Sequence, residues 1–444
     1  MLTKADAYLV IDRILGWAGS LDVQIRLSGQ DRGLTRFAGS EIHQNVSQED
    51  LTVELIAVDG KRRARVTTNR LGEEDLKEAL RELQRNLEVA PEAELEIPFI
   101  TEPEDIYDEE YDPGLLEEFD IEGRAGQLES GLKKLQNDRE AAGSLSLDNG
   151  FLALGNSSGI TRYARRTQVD FSTVVNSGDS TGFAALISDK SEDLDISRAF
   201  SQAADKAHQG RDPVQLEPGS YPVILEPLAV GGILSYLSYV GFSARSVQKG
   251  MSFLADRLGE QVFGKNITIT DNCEHPETAN LPFDLEGARR QKLTIIEEGV
   301  ARELAYDLKS AILDEKETTG HSIGRPDIGG FPLHLVMEPG ESSQEEMISS
   351  LDRGLLITRF HYMNIVNPRQ AVFTGLTRDG TFLIEKGEIT APVQDLRFTD
   401  SMLDAFNKVA AISPRREKVE GFSAFNYVPA LQIEELKFTG RKES

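Results

Sequence analysis

Between Glu92 and Glu122 the chain carries 14 acidic residues and no lysine or arginine, with Pro91, Pro98, Pro103 and Pro113 in or beside the run. Such a composition cannot bury enough apolar surface to repay the cost of ordering, and it reads as a solvated, largely extended connector. An acidic arm that docks on a basic partner is the weaker reading. At 444 residues the chain exceeds the usual size of one domain, so this break predicts a division into parts.

Before the break, residues 1–90 read as helix, strands, helix. A helical stripe runs through Asp6–Gly19, followed by strand-like runs at Asp22–Leu27, Leu34–Ala38 and Leu51–Val58. Asp59-Gly60 then turns into Lys61–Thr67, and Glu73–Leu87 returns to helical spacing. After the connector (91–123), residues 124–218 complete this N-terminal region. They follow a helix predicted over Leu115–Asn137 with strands at Ser144–Leu154, Thr161–Val175 and Phe183–Ile187 and a helix at Asp195–His208. Residues 219–444 begin with a strand, Tyr221–Leu225, and a helix, then become strand-rich, with turn signals at Glu298-Gly299, Asp379-Gly380 and Lys386-Gly387. The predicted fold class is α+β: an N-terminal α/β unit with a mixed sheet flanked by helices, followed by a larger strand-rich C-terminal domain.

Charge and composition exclude several functions. The 48 basic and 74 acidic residues leave a net charge of −26, with no dense basic patch. Nucleic acid and anionic membranes are therefore not expected partners. One cysteine, Cys273, rules out a disulfide framework and cysteine-rich zinc modules. No apolar run approaches membrane-spanning length, and the start MLTKADAYLVIDRILGW lacks the pattern of a secretory signal, so a cytoplasmic location is expected.

Catalytic signatures are scarce. None of the six histidines sits in His-Glu-x-x-His, and there is no Gly-x-Ser-x-Gly, Walker A or Gly-x-Gly-x-x-Gly. Cys273 lies next but one to His275, a spacing at which loop side chains seldom meet, so it reads as an ordinary loop cysteine. His334 and His361 stand in apolar, strand-like contexts and read as structural. The helix after Tyr221–Leu225 carries a stripe at Val230, Ile233, Leu234, Leu237 and Val240, with Ser235, Tyr236, Ser238 and Tyr239 off it.

Several blocks together carry a resemblance. Gly33–Ala38 with Glu41–Asn45, Lys249–Leu254 with Leu258-Gly259-Glu260, Asp284–Gly287 with Glu297–Val300, and Val366-Asn367-Pro368 with Phe373-Thr374-Gly375 and Leu383–Ile389 resemble the TldD/PmbA family in order and spacing. The resemblance implies a C-terminal β-rich domain of that type over 219–444. TldD-like members carry His-Glu-x-x-x-His on the central helix and a cysteine near the C-terminus as zinc ligands. Counted back from Lys249-Gly250, that motif falls on Ser235–Val240, which here reads Ser-Tyr-Leu-Ser-Tyr-Val, and no cysteine follows residue 400. Ser235 and Val240 replace the histidines, and Tyr236 replaces the glutamate.

The chain thus resembles the PmbA type, also called TldE. The resemblance implies a metal-free subunit with no catalytic residue, no metal ligand and no cofactor of its own. Its expected partner is a TldD-like paralogue holding zinc, and the pair's expected substrates are peptides and unfolded proteins. Ser235, Tyr236 and Tyr239 are then the residues expected to face the substrate chamber or the partner. Two alternatives stand beside this: a homodimeric peptide-binding or scaffold protein, and a hydrolase using another site, such as Cys273 or His321-Ser322.

Overall fold

The computed structural model describes residues 1–101, 106, 111–135, 139–278, 281–421 and 425–441. Its first sheet contains β1 (Asp22–Ala38), β2 (Glu41–Asp59), β3 (Arg62–Thr68), β4 (Glu140–Asn156), β5 (Thr161–Ser177) and β6 (Ser180–Ser188), in the order β3-β2-β1-β4-β5-β6. Every pairing in it is antiparallel, where a mixed sheet was expected; the parallel pairs lie in the second sheet. For β1–β2, β2–β3 and β5–β6 the antiparallel order follows from the short turns at Gly39-Ser40, Gly60 and Gly178, which can only reverse the chain.

Side chains alternate across a strand with period two, and the register shows what each face does. Val23, Ile25, Leu27, Val53, Leu55 and Ala153 share one face with Leu145, Leu147, Val169 and Phe171. Helices cover that face: α1 (Lys4–Ala18) and α2 (Glu73–Val89) over one half, α3 (Pro113–Glu118), α4 (Ile121–Leu132) and α5 (Ile196–Gln209) over the other. Thr3 and Asp6 form a capping box for α1, and α2 opens with Glu73, Glu74 and Asp75 against the positive helix end. The opposite face is polar and turns towards the second sheet.

Two expectations change in this region. The helix predicted over Leu115–Asn137 is broken after Glu118, because Asp120 caps a new helix by accepting from Gly123 N at 2.7 Å; Asn137 lies outside the described residues. The connector is also less solvated than expected. Phe99 is buried beside Ile56 and Val58, Ala93 N donates to Lys61 O at 2.9 Å, and Asn156 Nδ2 donates to Ile100 O at 2.9 Å. Apolar residues spaced between the carboxylates fasten it to the sheet. Its acidic residues Glu102, Glu104, Asp105, Asp108, Glu109 and Glu110 lie outside the described residues.

The second sheet has 11 strands. They are β7 (Gly219–Leu225), β8 (Ile269–Asp271), β9 (Leu293–Glu297), β10 (Val300–Ala301), β11 (Leu335–Met337), β12 (Arg353–Asn367), β13 (Val372–Glu385), β14 (Glu388–Pro392), β15 (Leu396–Ser401), β16 (Val409–Glu420) and β17 (Phe425–Arg441). β7 pairs with β12 on one side and β17 on the other, which closes the path β17-β15-β13-β12-β7 into a ring. Asp379-Gly380, expected as a turn, is instead a bulge inside β13, with φ of 55° and 132°. Buried Asp379 holds it by pairing with Arg359 and Arg378 and accepting from Thr181 of β6. Among the described residues, no helix is long and apolar enough to cross a membrane.

Candidate functional site

After β7, Pro227 at the first helical turn starts α6 (Pro227–Gly241), the helix singled out from the sequence. Val230, Ile233, Leu234, Leu237 and Val240 are buried as the stripe requires, but so are Ser235 and Ser238. The helix is wedged between β12, β16 and β17. Gly231 permits this, since a Cβ there would stand 2.6 Å from Val419 on β16.

The three residues expected to face a chamber or partner have different surroundings. Ser235 Oγ donates to Gly231 O at 3.0 Å and accepts from Asn426 Nδ2 at 2.8 Å, inside the core. Tyr236 is half-buried; its hydroxyl donates to Met363 O at 2.7 Å, and its ring lies 5.8 Å from Phe373. Tyr239 is 51% exposed and meets the edge of Phe331 at 6.4 Å. One of the three is thus presented to solvent, one is tied to β12, and one is enclosed.

Ser235 and Val240, the positions where the resemblance would put two zinc ligands, do not fit a zinc ion. The Ser235 hydroxyl is engaged on both sides, Val240 offers only alkyl, and the group that the C-terminal strand brings to Ser235 is an amide, Asn426. No step through zinc is assigned to this chain.

The alternative nucleophiles are also engaged. Cys273 is buried with its sulfur 3.9 Å from Arg290 O. His275 Nδ1 accepts from Glu277 N at 3.1 Å. His321 places Nε2 3.2 Å from Asp271 Oδ1 and Nδ1 2.8 Å from Thr319 O, while the Ser322 hydroxyl accepts from Gly324 N at 3.2 Å. His334, read as structural, is fully buried; burial pushes it down to about 4 against the pull of Asp271. Although burial alone would raise Asp271, hydrogen bonds from His321 and His334 hold it well below the usual carboxylate range.

Sequence reasoning missed the polar face of the first sheet. It forms one wall of two adjoining cavities, of about 470 and about 340 Å³, which share Arg32, Arg166 and Gln168. The smaller lies between β4–β6 and the Leu228 and Lys418–Gly421 segments of the second sheet's side. Here burial pushes Asp170 up to about 6, although Gln168 donates to its carboxylate at 2.7 Å. Such perturbed groups gather at functional clefts. Alternation of polar residues along β5 was the visible signal. Nearby, Asp284 and Glu286 are fully buried under the first sheet, and burial pushes Glu286 up to about 8.

Two sheets, one backed by helices and one closed into a ring around a buried helix, define the class of fold. Residues 218–440 match the PmbA/TldA metallopeptidase C-terminal domain, and the chain belongs to the PmbA/TldD family. It is 29% identical over 211 residues to an uncharacterised protein of Methanocaldococcus jannaschii, covering 43% of this chain and 48% of that one. It is 26% identical over 282 residues to the metalloprotease PmbA of Escherichia coli O157:H7, covering 61% and 59%. The chain spans about half the length of the curated relatives it matches. TldE from Thermococcus kodakarensis superposes with a TM-score of 0.87 at 20% identity, over 97% of this chain and 100% of that one. A Thermotoga maritima protein solved as a candidate modulator of a DNA gyrase gives 0.85 at 21% identity, over the same shares. These two likenesses show the fold.

Proposed function

We propose that this chain is the metal-free, non-catalytic subunit of a two-subunit metallopeptidase of cytoplasmic peptides and unfolded proteins. Its partner is a TldD-like paralogue that holds the zinc and performs the cleavage. The observation that carries this reading is the buried Ser235–Asn426 hydrogen bond, which leaves the motif position, with Val240 at its other end, to groups that do not ligate zinc. The retained fold still supplies chamber walls, sheet edges and exclusion of folded proteins, which select substrates without chemistry. Tyr239, half exposed at the end of α6, is the part of the helix presented to the partner or the chamber. Co-expression with a TldD-like paralogue tests the assignment. A stable complex on sizing supports it; a chain that remains a self-associated species in the paralogue's presence supports the stand-alone peptide-binding alternative instead.

A further inference from the structure

The first sheet leaves one long stretch of backbone unpaired. β3 covers β2 from Val53 to Asp59, so the outer edge of Gln44–Thr52 meets no strand among the described residues, although β1 pairs its inner side throughout. His43 is the extra residue of a bulge between the Arg36–Gln44 and Phe37–Ile42 pairs and ends the regular stretch near the hairpin tip. Nine extended residues span ~30 Å, and every second one turns its N–H and C=O outward.

Proteins ordinarily blunt such an edge with lysine, proline, a bulge or a covering element. Gln44–Thr52 contains neither lysine nor proline, the bulge lies beyond its end, and every residue from His43 to Asp50 is exposed. The edge is acidic: Glu49 and Asp50 lie along it without a lysine or arginine, and Glu49 draws the Met1 ammonium to 3.3 Å. Asp50 and Thr52 also form the near wall of the larger cavity, beside which alternate side chains of an added strand would lie.

We propose that the Gln44–Thr52 edge captures an extended, lysine- or arginine-bearing peptide as a seventh strand of this sheet. Backbone bonds supply sequence-tolerant affinity, and the carboxylates supply the preference for basic side chains. A second copy is the poorer occupant: pairing two β2 edges brings the same carboxylates together on chains of net charge −26. Delivery of the captured peptide to a zinc-bearing subunit rests on the function proposed above; capture does not.

The test uses the purified chain alone. A fluorescein-labelled 12-residue peptide alternating lysine with threonine and valine is titrated by anisotropy. Controls are the same peptide with glutamate for lysine, and the same peptide N-methylated at alternate amides. The lysine peptide binds; the glutamate and N-methylated peptides bind at least tenfold more weakly, as does the lysine peptide to the exposed-site double variant Glu49→Lys/Asp50→Lys. Amide exchange slows within residues 44–52 on binding. Equal binding of all three peptides, or unchanged exchange at 44–52, overturns the proposal. So does protection of 44–52 that grows with protein concentration without peptide, which identifies a second copy as the occupant. If the peptide fails to bind but the paralogue complex forms and cleaves, capture is refuted while the subunit reading stands; binding without any such complex gives the reverse.

Discussion

Replacing Glu286 with glutamine should change how stability depends on pH while leaving stability below about pH 4.5 almost untouched. Glu286 is fully buried where the first sheet meets the second sheet's loops. It accepts from Leu308 N at 2.9 Å, with Asp284 and Asp307 nearby and the Arg63 and Arg26 guanidiniums opposing them. Burial, then those two carboxylates, raise it from 4.5 to about 8. The folded state therefore binds this proton more tightly than the unfolded chain does. The stability linked to it is fully present below about 4.5 and is lost as pH rises through about 8. At 1.36 kcal/mol per pH unit, roughly 2–3 kcal/mol is lost between about pH 6 and about pH 9. Glutamine mimics the protonated acid, keeps an acceptor for Leu308 N, and has no proton to lose. With an unfolding entropy of ~2.1 cal/mol/K per residue, 1 kcal/mol moves a single transition of the 444-residue chain by about 1 °C. Thermal unfolding of both proteins across this range should show the Glu286→Gln advantage growing by roughly 2–3 °C towards high pH. An advantage that stays constant, or a wild type that gains on the variant as pH rises, would refute the placement of a neutral carboxyl at this junction.

The Asp379 bulge ties β6 to β12 and β13, and Asp379→Asn strips the charge from the Arg359 pair while asparagine tolerates the positive φ; a loss of about 3 kcal/mol, read as a Tm about 3 °C lower, is expected. Ser235→Ala should cost about 1 kcal/mol of stability and leave turnover by the reconstituted pair unchanged, because Asn426 retains Gly231 O at 3.2 Å. In contrast, Tyr236→Ala with Tyr239→Ala should raise KM for peptide more than it lowers kcat, measured on the same pair. Cys273→Ser should leave assembly and peptide hydrolysis intact, since the thiol is buried against Arg290 O; loss of activity in an assembled complex would restore a chemical role for it.

How much of this was legible beforehand depended on whether periodicity and local chemistry agreed. The helices α1, α2 and α5 and the α6 stripe could be read because each carries one apolar face and a recognisable start. β1 was read as two pieces, since Ser28–Gly33 is polar and glycine-rich. It is one strand because β2 and β4 satisfy its backbone on both sides, and the glycines are there for space: Cβ atoms at Gly29 and Gly33 would strike Phe151 at 2.2 Å and Arg124 at 2.3 Å. Asp379-Gly380 looked like a turn because bulges and turns use the same residues at positive φ. The α6 motif position could be located by counting, but the enclosure of Ser235 depended on Asn426, 191 residues away, and no local pattern records such a pair. The cavities between the sheets were invisible for the same reason.

Zinc stoichiometry under native purification tests the central claim most directly. The chain should be purified alone and, separately, as the complex with a TldD-like paralogue, and each analysed for metal after exhaustive dialysis. The account predicts no stoichiometric zinc in the isolated chain and one zinc per pair in the complex, unchanged when Ser235 is replaced by alanine. One tightly held zinc per isolated chain, lost on substitution of Ser235 or Asn426, would contradict it.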